Sequence, residues 1–193
     1  MVQSTGTKKI NCAVFISGTG SNLKSLIQFS KKKNSLISIV LIISDNPKAK
    51  GLKFGKIFKI SNKVFNYKNK IIAEKKIISE INNKKIKLIC LAGFMKILSR
   101  NFIKSFKGKI LNIHPSLLPK YKGLNTHKRA ISNNEKYSGC TVHVVNSKLD
   151  SGKIILQKKV KISKSDTAKS LAKKILIQEH KLYPKAIRKV FSF

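Results

Sequence analysis

Two alternating periodicities narrow the fold more than any other feature of the chain. Apolar, β-branched runs recur at 10–16, 36–43, 87–92, 110–113, 141–145 and 154–160, and they read as strands. Between the early runs lie segments of helical period. Residues 22–31 carry Leu23, Leu26 and Ile27, and residues 70–81 carry Ile71, Ile72, Ile78 and Ile81. A last helix spans 167–190, with Leu171, Ile175, Leu182 and Ile187 on one face and Asp166 as its N-cap. Strands alternating with helices predict βαβ units and a mostly parallel sheet with helices on both faces. The segment 139–160 reads instead as two antiparallel strands joined by a turn at Asp150-Ser151-Gly152. The predicted fold is a single-domain α/β fold over residues 10–193. It is an open, twisted, Rossmann-like sheet, mostly parallel with an antiparallel edge. Residues 1–9 are predicted to be a disordered tail.

Composition bears on partners. The chain has 193 residues, 41% of them apolar, which is enough for one domain with a buried core. Its formal charge is +35, from 42 Lys and Arg against 7 Asp and Glu. Such a balance suggests a nucleic-acid partner. The residue types argue otherwise. Only Arg100, Arg129 and Arg188 are arginine, whereas base and phosphate readers draw on the bidentate guanidinium. The lysines are spread along the chain without a long basic block. Lys, Ile and Asn, all written with A/T-rich codons, are abundant, while Gly, Pro and Ala are few. A nucleotide bias of the genome therefore accounts for the basicity, and no nucleic-acid partner is expected.

Three cysteines make no disulfide framework. Cys12 and Cys90 lie in apolar runs and read as small core residues. No C-x-x-C or His/Cys cluster suggests a metal, and no run of 18 apolar residues suggests a membrane span. The first nine residues lack an apolar signal core, so a cytoplasmic location is expected.

Two motifs carry chemistry. The turn Ser17-Gly18-Thr19-Gly20-Ser21-Asn22-Leu23 joins the first strand to the first helix. Its backbone N–H groups and the helix N-terminus would face an anion. Leu23 stands where a dinucleotide fingerprint has its third glycine, and no Gly-Lys-Ser/Thr of a Walker loop follows. Ser21 and Asn22 add donors, and the fit is to a single small phosphate. A purely structural tight turn would use the same residues.

The second motif is Ile110-Leu111-Asn112-Ile113-His114-Pro115-Ser116-Leu117-Leu118-Pro119. Residues two apart on a strand share a side, so Asn112 and His114 project together while Leu111 and Ile113 enter the core. Pro115 biases His114 towards extended geometry. An amide beside an imidazole suits acyl transfer, the amide stabilising an oxyanion and the imidazole moving a proton. A hydrogen-bonded core histidine is the other reading. Asp150 sits in a turn able to curl back to the sheet end, where a carboxylate would fix the His114 tautomer and raise its pKa. An ordinary Asx-turn residue is the alternative. His127, His143 and His180 read as structural or polar lining.

Together these blocks resemble the folate-dependent phosphoribosylglycinamide formyltransferases. The resemblance runs from Ile10 to Phe193. It is carried by SGTGSNL at 17–23, LAGFMKILS at 91–99, NIHPSLLPKYKG at 112–123, TH at 126–127, GCTVHVV at 139–145, LDSGKIILQKKV at 149–160 and QEHKLYP at 178–184. It implies that Asn112, His114 and Asp150 are catalytic. It implies that Gly20, Ser21 and Asn22 hold the phosphate of glycinamide ribonucleotide, and that Leu176, Ile177, Gln178 and Glu179 also contact that substrate. The co-substrate 10-formyltetrahydrofolate would be met by Lys70, by Met95, Lys96, Ile97 and Leu98, by Asn112, and by the loop Asn146, Ser147, Lys148, Leu149 and Asp150. The implied reaction is direct formyl transfer to the substrate amine, with no metal and no covalent enzyme intermediate. The partners implied are these two small molecules, for a monomer or homodimer. Lys70 and Lys96 stand where the family commonly has Arg, which keeps charge but loses the fork. Lys122 and Asn125 also replace more usual loop residues. The related methionyl-tRNA formyltransferases carry an extra C-terminal domain and the formyltetrahydrofolate deformylases a preceding regulatory one. Neither is expected in this chain.

Overall fold

The computed structural model describes residues 9–191. The tail expected at the N-terminus falls, but for Lys9, outside the described residues. The strands are β1 (Ile10–Ile16), β2 (Ile37–Ser44), β3 (Ser61–Val64), β4 (Leu88–Leu91), β5 (Lys109–His114), β6 (Tyr137–Val144) and β7 (Ile154–Lys161). The helices are α1 (Ser21–Ser30), α2 (Lys53–Phe58), α3 (Lys70–Asn83), α4 (Arg100–Ser105), α5 (Thr126–Ser132) and α6 (Ala168–Phe191). All seven strands form one sheet in the order β3-β2-β1-β4-β5-β6-β7. The pairs β2–β3, β1–β2, β1–β4 and β4–β5 are parallel. The pairs β5–β6 and β6–β7 are antiparallel.

Alternation along β1 shows how the two faces are filled. Cys12, Val14 and Ile16 enter one apolar cluster together with α1 and α6 side chains such as Leu23, Leu26, Leu171 and Ile175. Ala13 and Phe15 enter the opposite cluster, with Ile77 and Ile81 of α3 and Phe102 of α4. Cys12 and Cys90 are fully buried, as core residues should be. The strand order reverses direction in space between β1 and β4. At such a point the connections leave to opposite faces and open a crevice beyond the C-terminal strand ends. Tyr183 of α6 is fully buried, and its hydroxyl lies 2.8 Å from the Leu111 carbonyl and 3.1 Å from that of Leu91. It thereby ties α6 to neighbouring strands β4 and β5.

Three details depart from the sequence expectation. On α3 the buried face is Ala73, Glu74, Ile77 and Ile81, whereas Ile71 and Ile72 are exposed. Thr167, not Asp166, caps α6. The Thr167 hydroxyl accepts the Ser170 N–H, and the Ser170 hydroxyl accepts the Thr167 N–H. Asp166 instead pairs with Lys174 and accepts the Ser163 N–H. The short elements β3, α2, α4 and α5 were not predicted. Among the described residues no helix is long and apolar enough to cross a membrane.

Candidate active site

β5 ends in the motif that pairs an amide with an imidazole. Leu111 and Ile113 point into the α1/α6 side of the core, so Asn112 and His114 share the opposite face. The antiparallel neighbour β6 sets Asn112 opposite His143. The loop after β6 then folds back and delivers Asp150. Its φ of 44° is a left-handed conformation that Asp tolerates better than most residues. Gly152 permits the return, since a Cβ there would run into the Val144 carbonyl oxygen.

The result is a polar cluster with every member oriented. His114 Nδ1 lies 3.4 Å from Asp150 Oδ2, and both side chains are almost wholly buried. His114 Nε2 lies 2.9 Å from the Tyr121 carbonyl. A carbonyl only accepts, so Nε2 carries the proton of the neutral ring, and Nδ1 is the nitrogen that titrates. The Gly123 N–H donates to Asp150 Oδ2 at 2.8 Å. Asn112 Nδ2 lies 3.2 Å from His143 Nε2 and 3.5 Å from Asp150 Oδ1. His143 Nδ1 lies 3.0 Å from the Val144 carbonyl, which makes Nδ1 the donor and leaves Nε2 to accept from the amide of Asn112.

Burial and charge compete at these groups. Burial holds the His114 pKa below its ordinary value, although the Tyr121 carbonyl and the Asp150 charge both act to raise it. The sequence expectation of a raised value is thus reversed, because desolvation outweighs one partly shared carboxylate. Burial pushes Asp150 upwards, but the contact with His143, the N–H donated by Gly123 and the nearby His114 together bring it below the usual range.

These residues face a cavity of about 550 Å³, a size suited to a small-molecule ligand. Its wall includes Asn112, His114 and Asp150, then Met95, Lys96, Ile97 and Leu98, then Asn146, Ser147, Lys148 and Leu149, and finally Asn22 and Glu179. The six other predicted residues, Gly20, Ser21, Lys70, Leu176, Ile177 and Gln178, are not part of that wall. Gly20 precedes α1 with φ 73°, and a Cβ there would meet Gly51 Cα at 2.7 Å, so the turn closes on itself only with glycine. Asn22 Nδ2 donates to Glu179 Oε2 at 2.7 Å. Burial raises the Glu179 carboxyl pKa, and the Asn22 amide opposes the rise. Asn22 Oδ1 is buried without a hydrogen-bond partner, as is His127 Nδ1. Both side chains line the cavity. His127 and His143, expected from the sequence to be structural or polar lining, stand in that wall. The signal for His143 is its register opposite Asn112, which exists only after β5 and β6 pair.

The formyl transferase family matches residues 10–187. The chain is 42% identical over 188 residues to the human trifunctional purine biosynthetic protein adenosine-3, covering 96% of this chain but 19% of that protein. It therefore spans about a fifth of the length of such relatives. It is also 42% identical over 184 residues to the phosphoribosylglycinamide formyltransferase of Haemophilus influenzae, covering 94% of this chain and 86% of that one. The crystal structure of phosphoribosylglycinamide formyltransferase from Brucella melitensis superposes with a TM-score of 0.91 at 40% identity, covering 96% of this chain and 97% of that chain. With the sheet order, the polar cluster at the end of β5 and a match over nearly all of the described residues, the chain belongs to the formyl transferase family.

Proposed function

We propose that the chain transfers the formyl group of 10-formyltetrahydrofolate to the primary amine of 5'-phosphoribosylglycinamide. The products are formylglycinamide ribonucleotide and tetrahydrofolate, formed in purine biosynthesis in the cytoplasm. One observation carries this reading. The Asn112–His114–Asp150 cluster shares the wall of one cavity with Asn22 and Glu179 from α1 and α6, and with the segment 95–98 and the loop residues 146–149. One cavity lined by both sets of residues can bring two ligands together at the cluster.

The chemistry follows from the cluster's own groups. The formyl donor supplies an electrophilic carbon. As the amine nitrogen adds to it, negative charge develops on the formyl oxygen. Asn112 Nδ2–H and His114 Nδ1–H are the donors able to meet that charge. The bond from the formyl carbon to the folate nitrogen N10 then breaks. One proton leaves the attacking nitrogen and one arrives at N10, so His114 Nδ1 or a water beside it carries a proton without net change. Asp150 keeps the imidazolium accessible despite burial. His143 holds the Asn112 amide in position. From α1 and α6, Asn22 and Glu179 offer an acceptor and a carboxylate to the hydroxyl and amide donors of the nucleotide, and the backbone around Gly20 and Ser21 offers N–H groups to its phosphate. Leu176, Ile177 and Gln178 share the helix with Glu179 but lie outside the cavity wall, so their part is to carry Glu179.

The test is direct. Purified protein is mixed with 10-formyltetrahydrofolate and glycinamide ribonucleotide, while tetrahydrofolate is followed by absorbance and the formylated amine by mass. Stoichiometric appearance of both supports the reading. Transfer to charged initiator tRNA or to water, with the glycinamide amine left untouched, overturns it.

A further inference from the structure

We infer that Asp45 and Glu74, two carboxylates outside the cavity wall, are positioning residues that pin the two ends of the segment 95–98. The inference rests on the reading of that segment as the pocket for the folate co-substrate.

The segment needs such support. It lies between β4 and α4 and has no helical or strand structure of its own. No ladder of backbone hydrogen bonds therefore fixes where its peptide groups point. Yet its members line the cavity, and Met95 and Ile97 expose 61% and 62% of their surface there.

Each end is held by a carboxylate. At the first end the Met95 N–H donates to Ser17 Oγ at 2.8 Å, and the Ser17 hydroxyl donates in turn to Asp45 Oδ1 at 2.5 Å. A hydroxyl has one proton. Committing it to Asp45 aims an oxygen lone pair at Met95. Asp45 Oδ2 lies 3.8 Å from Lys96 Nζ, so one side chain reaches two consecutive residues of the segment. The Asp45 side chain is only 8% exposed. At the second end the Ser99 N–H donates to Glu74 Oε1 at 2.8 Å. Glu74 is 6% exposed and belongs to α3. Ser99 is also the N-cap of α4, its hydroxyl accepting the Phe102 N–H. Hydrogen bonds to carboxylates are about twice as strong as neutral ones, and burial strengthens them further.

The two struts belong to one cluster. Tyr67 packs edge-on against Phe94, which directly precedes Met95, with ring centroids 5.5 Å apart. Burial first, and the charges of Glu74 and Asp45 after it, hold the pKa of its hydroxyl above the ordinary value. The residues Asp45, Glu74 and Tyr67 form the polar footing under a loop that itself carries no acid.

The binding of each ligand tests this. Dissociation constants for tetrahydrofolate and for glycinamide ribonucleotide are measured by titration calorimetry, and KM for both substrates is measured alongside. Glu74→Ala and Asp45→Ala remove an acceptor. They are expected to weaken tetrahydrofolate, and raise the KM of the formyl donor, about tenfold, which corresponds to one lost charge-assisted hydrogen bond. Affinity for glycinamide ribonucleotide and kcat should stay within about twofold. Glu74→Gln and Asp45→Asn keep the acceptor oxygen and should recover most of the loss. Ser99→Pro removes the same bond from the donor side at a φ of −71° that proline accepts, and, read against Ser99→Ala, which loses the α4 cap alone, it reports on Glu74 should Glu74→Ala fail to fold. Equal weakening of both ligands, wild-type tetrahydrofolate affinity in folded Glu74→Ala, Asp45→Ala or Ser99→Pro, or no recovery in the amide variants would each overturn the inference. Failure of the unaltered protein to bind tetrahydrofolate at all would instead remove the functional reading on which it rests.

Discussion

Replacing Asp150 with Asn isolates one physical quantity, the charge beside His114. The shape is preserved, and Asn is among the few residues at ease at the φ of 44° found there. The amide oxygen can take the place of Oδ2, still accepting the Gly123 N–H and still facing His114 Nδ1. What disappears is a unit charge 3.4 Å from that nitrogen. At an effective dielectric constant of about 20 this separation corresponds to about 5 kcal/mol, or between three and four pKa units. The cavity is open on one side, so solvent screening brings the working figure to about two units. Burial already holds His114 low, and removing the carboxylate lowers it further. If the imidazolium stabilises the developing oxyanion, its population above both pKa values falls roughly 100-fold, and kcat falls with it. The assay is kcat against pH, from about pH 5 to 9, for both proteins. The deficit should be about 100-fold near neutrality and shrink towards acid, where His114 regains its proton. A deficit that does not change with pH, or none at all, refutes the argument that Asp150 acts through the charge state of His114.

Other expectations concern stability. Tyr183→Phe leaves the Leu91 and Leu111 carbonyls without their buried donor and should cost about 1–3 kcal/mol in urea unfolding. An unchanged midpoint would mean the hydroxyl does not tie α6 to the sheet. Gly152→Ala forces a Cβ against the Val144 carbonyl and should cost at least about 3 kcal/mol, because backbone rather than a flexible side chain must yield. Burial lowers the pKa of His114, His127 and His180 in the native state. The unfolded chain protonates these rings near pH 6.5. Their contribution is therefore complete above about pH 6.5 and is lost as pH falls through the native values. Tm should drop on acidification from neutrality, less steeply in His180→Gln, and a flat profile would contradict it.

The sheet was legible because its central strands are apolar runs that nothing but a covered sheet can bury. β1 spans the predicted residues, and β2, β4 and β5 differ by one or two at their ends. β3 was not, because Ser61–Val64 is a four-residue edge strand with every residue exposed. α2, α4 and α5 have six or seven residues, too few for an amphipathic period to emerge. The misread face of α3 has a different cause. Ile71 and Ile72 are apolar but sit in the first turn, outside the stripe of Ala73, Ile77 and Ile81 that meets the sheet. In the site, Asn112 and His114 could be paired from spacing on one strand. Asp150 and His143 join them only through an antiparallel register and a returning loop, which no local pattern encodes. Asp45 and Glu74 were invisible for the same reason, since the backbone groups at the ends of their struts lie far along the chain.

Four of the polar contacts that hold the site share a property with a bearing on its history. His114 is oriented by the carbonyl of Tyr121, Asp150 by the amide of Gly123, Ser17 by the amide of Met95 and Glu74 by the amide of Ser99. In each pair one partner is peptide backbone. A side-chain partner can be lost by a single codon change, but a peptide group is supplied by almost any residue placed at that position. The neighbourhood can therefore accept lysines at 96, 122 and 148 while these four groups keep their anchors. Geometry vested in the main chain is tolerant of a biased genome in a way that a network of side chains would not be.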